Sequence, residues 1–270
     1  VDTVAVIGAG KIGEVLLTGL VKAGWPAGRL IATARRPERA QDLRDRLGIR
    51  VLDNLGAVGE AEVVAIAVKP QDAGVLLEEL GGKIPADKLV ISLCAGLPTT
   101  FFERRLQPGT PVIRVMTNTP ALVDEAMTAI SAGAHALPAH MALAEELFKP
   151  LGKTIRVPES QQDAVTALSG SGPAYFYFLV EAMIDAGILL GLPRQVARDL
   201  IVQTAIGSAV MLRDSGEHPV TLREAVTSPA GTTISAIREL ENHGVRAALL
   251  AALEAARDRA REIAQQSEAL

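Results

Sequence analysis

Thr3-Val-Ala-Val-Ile-Gly-Ala-Gly-Lys-Ile-Gly13 is the stretch on which the fold turns. Residues 3–9 form a short, β-branched apolar run that ends in glycine, which reads as a buried parallel strand. Gly8-Ala9-Gly10-Lys11-Ile12-Gly13 then fits G-x-G-x-x-G directly behind it. Each glycine has a physical task. Gly8 allows the tight turn, Gly10 lets backbone approach a pyrophosphate, and Gly13 permits close helix–strand packing. The helix that follows aims its N-terminal N–H groups and the positive end of its dipole at the phosphates. A glycine turn alone is a weak signal; between a strand and a helix, inside repeated βαβ units, it is a strong one.

Those units are present. Apolar runs recur at 29–34, 62–68, 89–95, 111–116 and 126–131, with a last one at 154–157. Helical stretches separate them near 11–24, 37–47, 70–80, 98–106 and 138–149. Such alternation predicts an open parallel sheet. It stops near residue 158, and from 161 onward only helices are expected, at 161–169, 172–190, 194–214, 219–227, 232–242 and 245–267. Pro193 and Pro219 stand at helix starts, Gly191, Gly216 and Gly244 at helix ends. The fold class is therefore α/β: an N-terminal Rossmann-like parallel-sheet domain over residues 1–158, then an all-α domain over residues 159–270. A helical domain of ~110 residues buries a limited share of its surface, so a second copy is expected to cover its apolar faces.

Composition excludes several classes. Apolar residues make up 49% and aromatics only 3%, which suits helices and parallel strands built from Ala, Val, Leu and Ile. The net charge is -4 and no long basic tract occurs, so no nucleic-acid partner is expected. A single cysteine, Cys94, allows no intrachain disulfide and points to a reducing, cytoplasmic compartment. The start at Val1-Asp2-Thr3 leaves no room for a signal peptide, and no uninterrupted apolar run of ~18 residues suggests a membrane span. His135, His140, His218 and His243 are scattered without cysteine partners, so no metal is expected.

The second strand bears on the choice of cofactor. An NAD enzyme usually places Asp or Glu at its end to bind the ribose hydroxyls. Here it ends in Ala34-Arg35-Arg36, with no acid until Glu38. Two guanidinium groups match a 2′-phosphate, which favours NADPH with NADH tolerated, against a reading of Arg35 and Arg36 as ordinary solvated charges. Later loops contribute further residues at the carboxyl ends of strands. Ala67-Val68-Lys69 follows 62–68, and Lys69 either reaches a phosphate or ribose or is a solvated loop lysine. Cys94-Ala95-Gly96 follows 89–95 and leaves room for a flat ring, with Cys94 read as a small buried residue rather than a nucleophile.

Val226-Thr-Ser-Pro-Ala-Gly-Thr-Thr-Ile234 joins two helices with four hydroxyls in the seven residues 227–233. One helix cap needs only one hydroxyl, whereas several N–H groups converging on one point suit a small carboxylate. At this segment the chain resembles the pyrroline-5-carboxylate reductase family. The likeness rests on Arg223 to Leu240, on Gly8 to Gly13, and on Ala67-Val-Lys-Pro-Gln71. It extends to Ser92-Leu-Cys-Ala-Gly96, Arg114-Val-Met-Thr-Asn-Thr-Pro120 and Leu168-Ser-Gly-Ser-Gly-Pro-Ala-Tyr175, in the family's order along nearly the whole chain.

The resemblance implies NAD(P)H-dependent reduction of a small cyclic imine, (S)-1-pyrroline-5-carboxylate, to L-proline, the last step of proline biosynthesis. It also implies a homodimer through the helical domain, with dimers able to assemble into larger rings. If the helical domain is exchanged between partners, the active site would use both chains. Ser228, Gly231, Thr232 and Thr233 are then expected to hold the substrate carboxylate. Thr233 is expected to orient the ring nitrogen, and Asn54 to contact the adenosine ribose or its phosphate. A protonated imine is already electrophilic, so no strong general acid is needed. Ala230 departs from the family pattern, which often has glycine there, and would be strained if the position needs φ > 0. A β-hydroxyacid dehydrogenase would need a lysine base in a glycine-bearing helix near residues 165–180, and the segment Ala164 to Tyr177 contains none. A non-catalytic NADP sensor would keep the glycine loop without needing the hydroxyl-rich segment.

Overall fold

In a computed structural model of the chain, which describes residues 3–268, eight strands form one sheet in the order β3-β2-β1-β4-β5-β6-β7-β8. The strands are β1 (Val4–Ile7), β2 (Leu30–Ala32), β3 (Arg50–Val51), β4 (Val63–Ile66), β5 (Leu89–Ser92), β6 (Val112–Met116), β7 (Ala126–Ala132) and β8 (Gly152–Arg156). The connecting helices are α1 (Lys11–Lys22), α2 (Pro37–Leu47), α3 (Asn54–Glu60), α4 (Pro70–Leu80), α5 (Thr99–Glu103) and α6 (Pro138–Phe148). Val4 and Val6 of β1 pack with Leu16, Leu17 and Leu20 of α1 on one face. Ala5 and Ile7 pack with Leu77 and Phe102 on the other. Successive side chains of a strand point to opposite faces, so helices on both sides explain why β1 is apolar at every position.

The first six strands stand in the doubly wound order 3-2-1-4-5-6, whose direction of progression reverses between β1 and β4. Pairing is parallel from β3 across to β6. The expectation of an all-parallel sheet needs one correction, because β7 runs antiparallel to β6, and β8 then pairs parallel with β7. A parallel partner requires a crossover of a dozen or more residues, and the short link 117–125 carries no α-helix to make one. The two-residue β3 and the helix α3 escaped the sequence reading, since neither carries enough apolar periodicity to register.

Two compact units emerge: residues up to Ser171 together with those from Ala255 on, and Gly172–Glu254. The last part of the final helix thus belongs with the sheet, where Ala260 is buried. The region expected as one helix at 161–169 is α7 (Gln162–Val165) continued by a turn of π-helix, Thr166–Gly170. The second unit contains α8 (Gly172–Leu189), α9 (Arg194–Ser215), α10 (Pro219–Ala225), α11 (Thr232–Asn242) and most of α12 (Val245–Glu268). Helices α8 and α9 approach closely where Gly187 faces Ala197; a Cβ on Gly187 would lie 2.8 Å from the Ala197 Cβ.

The second unit leaves much apolar surface open. Phe176, Tyr177 and Phe178 are each about two-thirds exposed, and Leu189 and Leu190 more so. Large apolar side chains left open on several sides of one helix suit a surface that meets something other than water. By length and composition alone the stretch Glu159–Leu189 is long and apolar enough to cross a membrane. The helices expected separately at 161–169 and 172–190 follow one another here through the π-turn. The absence of a signal peptide was argued in part from Val1 and Asp2, which lie outside the described residues.

Candidate active site

The glycine turn has the shape its sequence requires. Gly8 adopts φ +87°, where a Cβ would also strike the Val68 side chain at 2.6 Å. A Cβ on Gly13 would lie 2.7 Å from the Gly8 carbonyl oxygen, so only glycine lets α1 sit this close to β1. Around Gly10 the reverse holds, with no atom within 4 Å of where a Cβ would be. Gly10 also opens α1 and has no side chain to cap its first N–H groups. An open backbone face beside uncapped helix donors fits a pyrophosphate.

Two adjoining clefts, of about 500 and 510 Å³, extend from this turn at the point where the strand order reverses. They share Gly8, Thr33, Ala34, Arg35, Val68 and Asp72. The first continues to Asp53 and Asn54 at the start of α3, where the Asp53 carboxylate accepts a hydrogen bond from the Gly56 amide at 2.7 Å. The second continues past Gly10 and Lys11 to Arg36, Ala67 and Lys69. Most of the residues assigned to the cofactor from sequence therefore meet in one region. Ile12 lies instead in a separate groove of about 420 Å³ with Val15, Asn118 and Leu122, and Gly13 is buried.

The cations differ in their freedom. Arg35 donates from Nη2 to the Asp72 carboxylate at 2.7 Å, whereas Arg36 and Lys69 are exposed and form no ion pair among the described residues. Arg39, which sequence reasoning passed over, reaches the Ala9 carbonyl of the glycine turn at 3.4 Å and pairs with Glu14 and Asp42. Burial works against ionisation of Glu14, but Arg39 and Arg46 outweigh it and hold the carboxyl below its ordinary range. Thr33 was missed as well; its Oγ1 accepts the Gly8 amide at 3.0 Å and its carbonyl accepts the Ala9 amide at 2.9 Å. Nothing in the apolar run 29–34, which contains Thr33, distinguishes this role from ordinary strand packing.

Cys94 is buried, its thiol 3.4 Å from the Val68 carbonyl, and burial pushes its pKa up to about 12. It braces the Ala67–Lys69 loop from beneath and does not line the clefts. Ala95 beside it is exposed. Gly96 is covered by α12, for a Cβ there would meet the Ile263 side chain at 3.2 Å. The room foreseen for a flat ring at Ala95-Gly96 is thus reduced to the Ala95 side. Among the described residues no group of three or more His, Cys, Asp or Glu side chains is placed to hold a metal ion.

In the helical unit, α10 ends at Ala225, and the Thr227 hydroxyl turns back to donate to the Arg223 carbonyl at 2.6 Å. Ala230 adopts φ +56°, one of two non-glycine residues in the left-handed region among those described. The strain foreseen for this alanine is therefore present. The turn closes through the Gly231 amide and the Ser228 carbonyl at 3.2 Å, with the Ser228 hydroxyl packed where a Gly231 Cβ would stand. Helix α11 then starts at Thr232 from Gly231, which has no side chain to cap it. The hydroxyls of Ser228, Thr232 and Thr233 form no hydrogen bond among the described residues, so they are not spent on capping. Uncapped N–H groups and free hydroxyls at one helix start suit a carboxylate.

Sheet order, glycine turn and cleft define a Rossmann-type dinucleotide-binding domain. A family model described as NADP oxidoreductase, coenzyme F420-dependent, matches residues 3–96, and one described as pyrroline-5-carboxylate reductase dimerisation matches residues 159–263. Among relatives, the pyrroline-5-carboxylate reductase of Corynebacterium melassecola is 43% identical, with 97% of this chain and 98% of the relative aligned. That of Methanosarcina acetivorans is 44% identical over 95% and 96%. Of solved structures, the Coxiella burnetii pyrroline-5-carboxylate reductase superposes with a TM-score of 0.90 at 34% identity, covering 97% of this chain and 98% of that one. The Plasmodium falciparum pyrroline carboxylate reductase with NADP bound gives 0.88 at 26% identity over the same shares. This chain belongs to the pyrroline-5-carboxylate reductase family, and its helical region is a homo-oligomerisation domain.

Proposed function

We propose that this chain reduces (S)-1-pyrroline-5-carboxylate to L-proline with NADPH as the preferred reductant and NADH tolerated. The observation that carries the substrate assignment is the uncapped start of α11 beside the unengaged hydroxyls of Ser228, Thr232 and Thr233. Together with Gly231 they bind the carboxylate. The Thr233 hydroxyl, half-buried at the first turn, orients the ring nitrogen; a hydroxyl is too weak an acid to do more than position.

The nicotinamide supplies a hydride to the imine carbon when bound. Gly8, Gly10, Lys11, Ile12 and Gly13 form the phosphate turn, and Arg35 and Arg36 meet the adenosine 2′-phosphate. Asn54 meets the ribose side, Ala67, Val68 and Lys69 form the facing wall, and the segment Cys94-Ala95-Gly96 borders the ring, with Ala95 its exposed member. These residues orient and exclude water; none needs to move a proton.

The functional boundary is read at residue 158/159, supported by the dimerisation match that begins at 159. The exposed apolar faces of α8 and α9 support a homodimer through the helical domain, with a ring of dimers and an active site shared between chains as finer parts of this reading. A single buried thiol suits a reducing cytoplasm, and the charge balance offers no nucleic-acid surface. The test is NADPH oxidation with pyrroline-5-carboxylate, run beside NADH and beside Thr233→Ala. Turnover that falls about 10- to 100-fold in the variant, the worth of one charge-assisted hydrogen bond, supports the reading. Binding of NADPH without any turnover would move the case to a sensing protein.

A further inference from the structure

The acid missing from the end of β2 is present in the same cleft, but it comes from another element. Asp72 lies in the first turn of α4 and lines both clefts, as Arg35 does. Its Oδ2 accepts the Arg35 Nη2 at 2.7 Å, with Asp72 about one-third exposed and Arg35 mostly exposed. Arg36, one residue on, forms no ion pair among the described residues. Of the two guanidinium groups at the cleft, one is engaged beforehand by a carboxylate and the other is free.

We propose that Asp72 is a positioning residue that sets cofactor selectivity by competing with the adenosine 2′-phosphate for Arg35. This rests on the reading of Arg35 as a 2′-phosphate ligand. An exposed Arg–carboxylate pair is weak enough to be exchanged, and a phosphate is the stronger bidentate partner. Exchange nevertheless spends the energy of the existing pair and leaves the Asp72 charge close to the phosphate. A ribose that carries only hydroxyls meets neither penalty. Asp72 therefore lowers the advantage of NADPH over NADH and keeps both cofactors usable by one cleft.

The experiment is calorimetric titration of the full-length protein with 2′,5′-ADP and with 5′-ADP, at low and at physiological salt. Wild type is compared with Asp72→Asn, Asp72→Glu, Arg35→Ala and the double variant, and KM and kcat are measured for NADPH and NADH in parallel. Asp72→Asn is expected to tighten 2′,5′-ADP about three- to tenfold at low salt, less at higher salt, with no matching gain for 5′-ADP. The change should fall on KM for NADPH rather than on kcat, and Asp72→Glu should keep the wild-type preference. When Asp72→Asn is combined with Arg35→Ala the gain should shrink, because only the repulsion between the Asp72 charge and the phosphate is then left to relieve. No gain in the single variant, or an equal gain in the double variant, overturns the role of Asp72 while leaving Arg35 in place. If Arg35→Ala leaves the advantage of 2′,5′-ADP over 5′-ADP intact, it is the reading of Arg35 that fails.

Discussion

The amide of Gly8 donates to the hydroxyl of Thr33 at 3.0 Å, which ties the turn after β1 to the end of β2. A main-chain bond beside it, from Ala9 N–H to the Thr33 carbonyl, makes the link double. Replacing Thr33 by valine keeps the shape and removes one acceptor, leaving the Gly8 amide without its partner at a cost of about 1–3 kcal/mol. Thr33→Val is therefore expected to weaken NADPH about tenfold or more and to lower thermal stability by a few degrees. Titration calorimetry and a melting curve check both; unchanged binding would mean that the main-chain bond alone holds the turn.

Ala230 holds φ +56° without glycine's freedom, which costs about 1 kcal/mol. Ala230→Gly should recover much of that amount, read as a higher urea midpoint with an unchanged slope. Ala230→Val should do the opposite, because a β-branched side chain fits this region still less well, and it should impair turnover by shifting Ser228 and Thr232. A midpoint that does not rise with glycine would show that the turn has no strain to release.

Cys94 predicts a pH effect of definite sign. Its thiol titrates at about 12 in the folded protein, raised mainly by burial, against about 8.5 for an unfolded chain. The folded state thus retains this proton where the unfolded state loses it. The contribution of Cys94 is complete below about pH 8.5 and is lost as pH rises toward 12. Alkylation by iodoacetamide at pH 8 should accordingly be slow and should accelerate with urea in step with unfolding. Rapid labelling of the native protein would contradict the buried placement.

At the acid end Glu14 is one of the carboxyls that contribute: burial works against its charge, but Arg39 and Arg46 hold it below its usual range. A depressed carboxyl contributes stability above its unfolded pKa of about 4.3 and loses it as pH falls through the folded value. Glu14→Gln should therefore lower stability at neutral pH and flatten the decline below about pH 4.3. Urea midpoints at pH 7 and pH 3.5 measure the difference, and parallel declines in variant and wild type would exclude Glu14 as the source.

Much of this was legible beforehand because it depends on neighbours in sequence. A run of β-branched residues followed by three spaced glycines has few alternatives, since sterics within a handful of residues decide the turn at Gly8 and the approach at Gly13. The left-handed alanine at 230 is of the same kind, a local conformation announced by a residue that departs from the family pattern. Proline and glycine likewise marked the helix limits at Pro193, Gly191 and Gly216.

What the amino-acid sequence determined by itself was the alternation of strands and helices, the glycine turn, and the hydroxyl-rich start of α11. Tertiary structure alone decided that Asp72 captures Arg35 and that Thr33 anchors Gly8. It also turned β7 against β6 and brought Ile263 over Gly96, more than a hundred residues away in the chain. The division has one physical cause. Backbone sterics act over a few residues and leave their mark in local composition, whereas a charge pair or a covered face depends on which distant segments the packed core brings together.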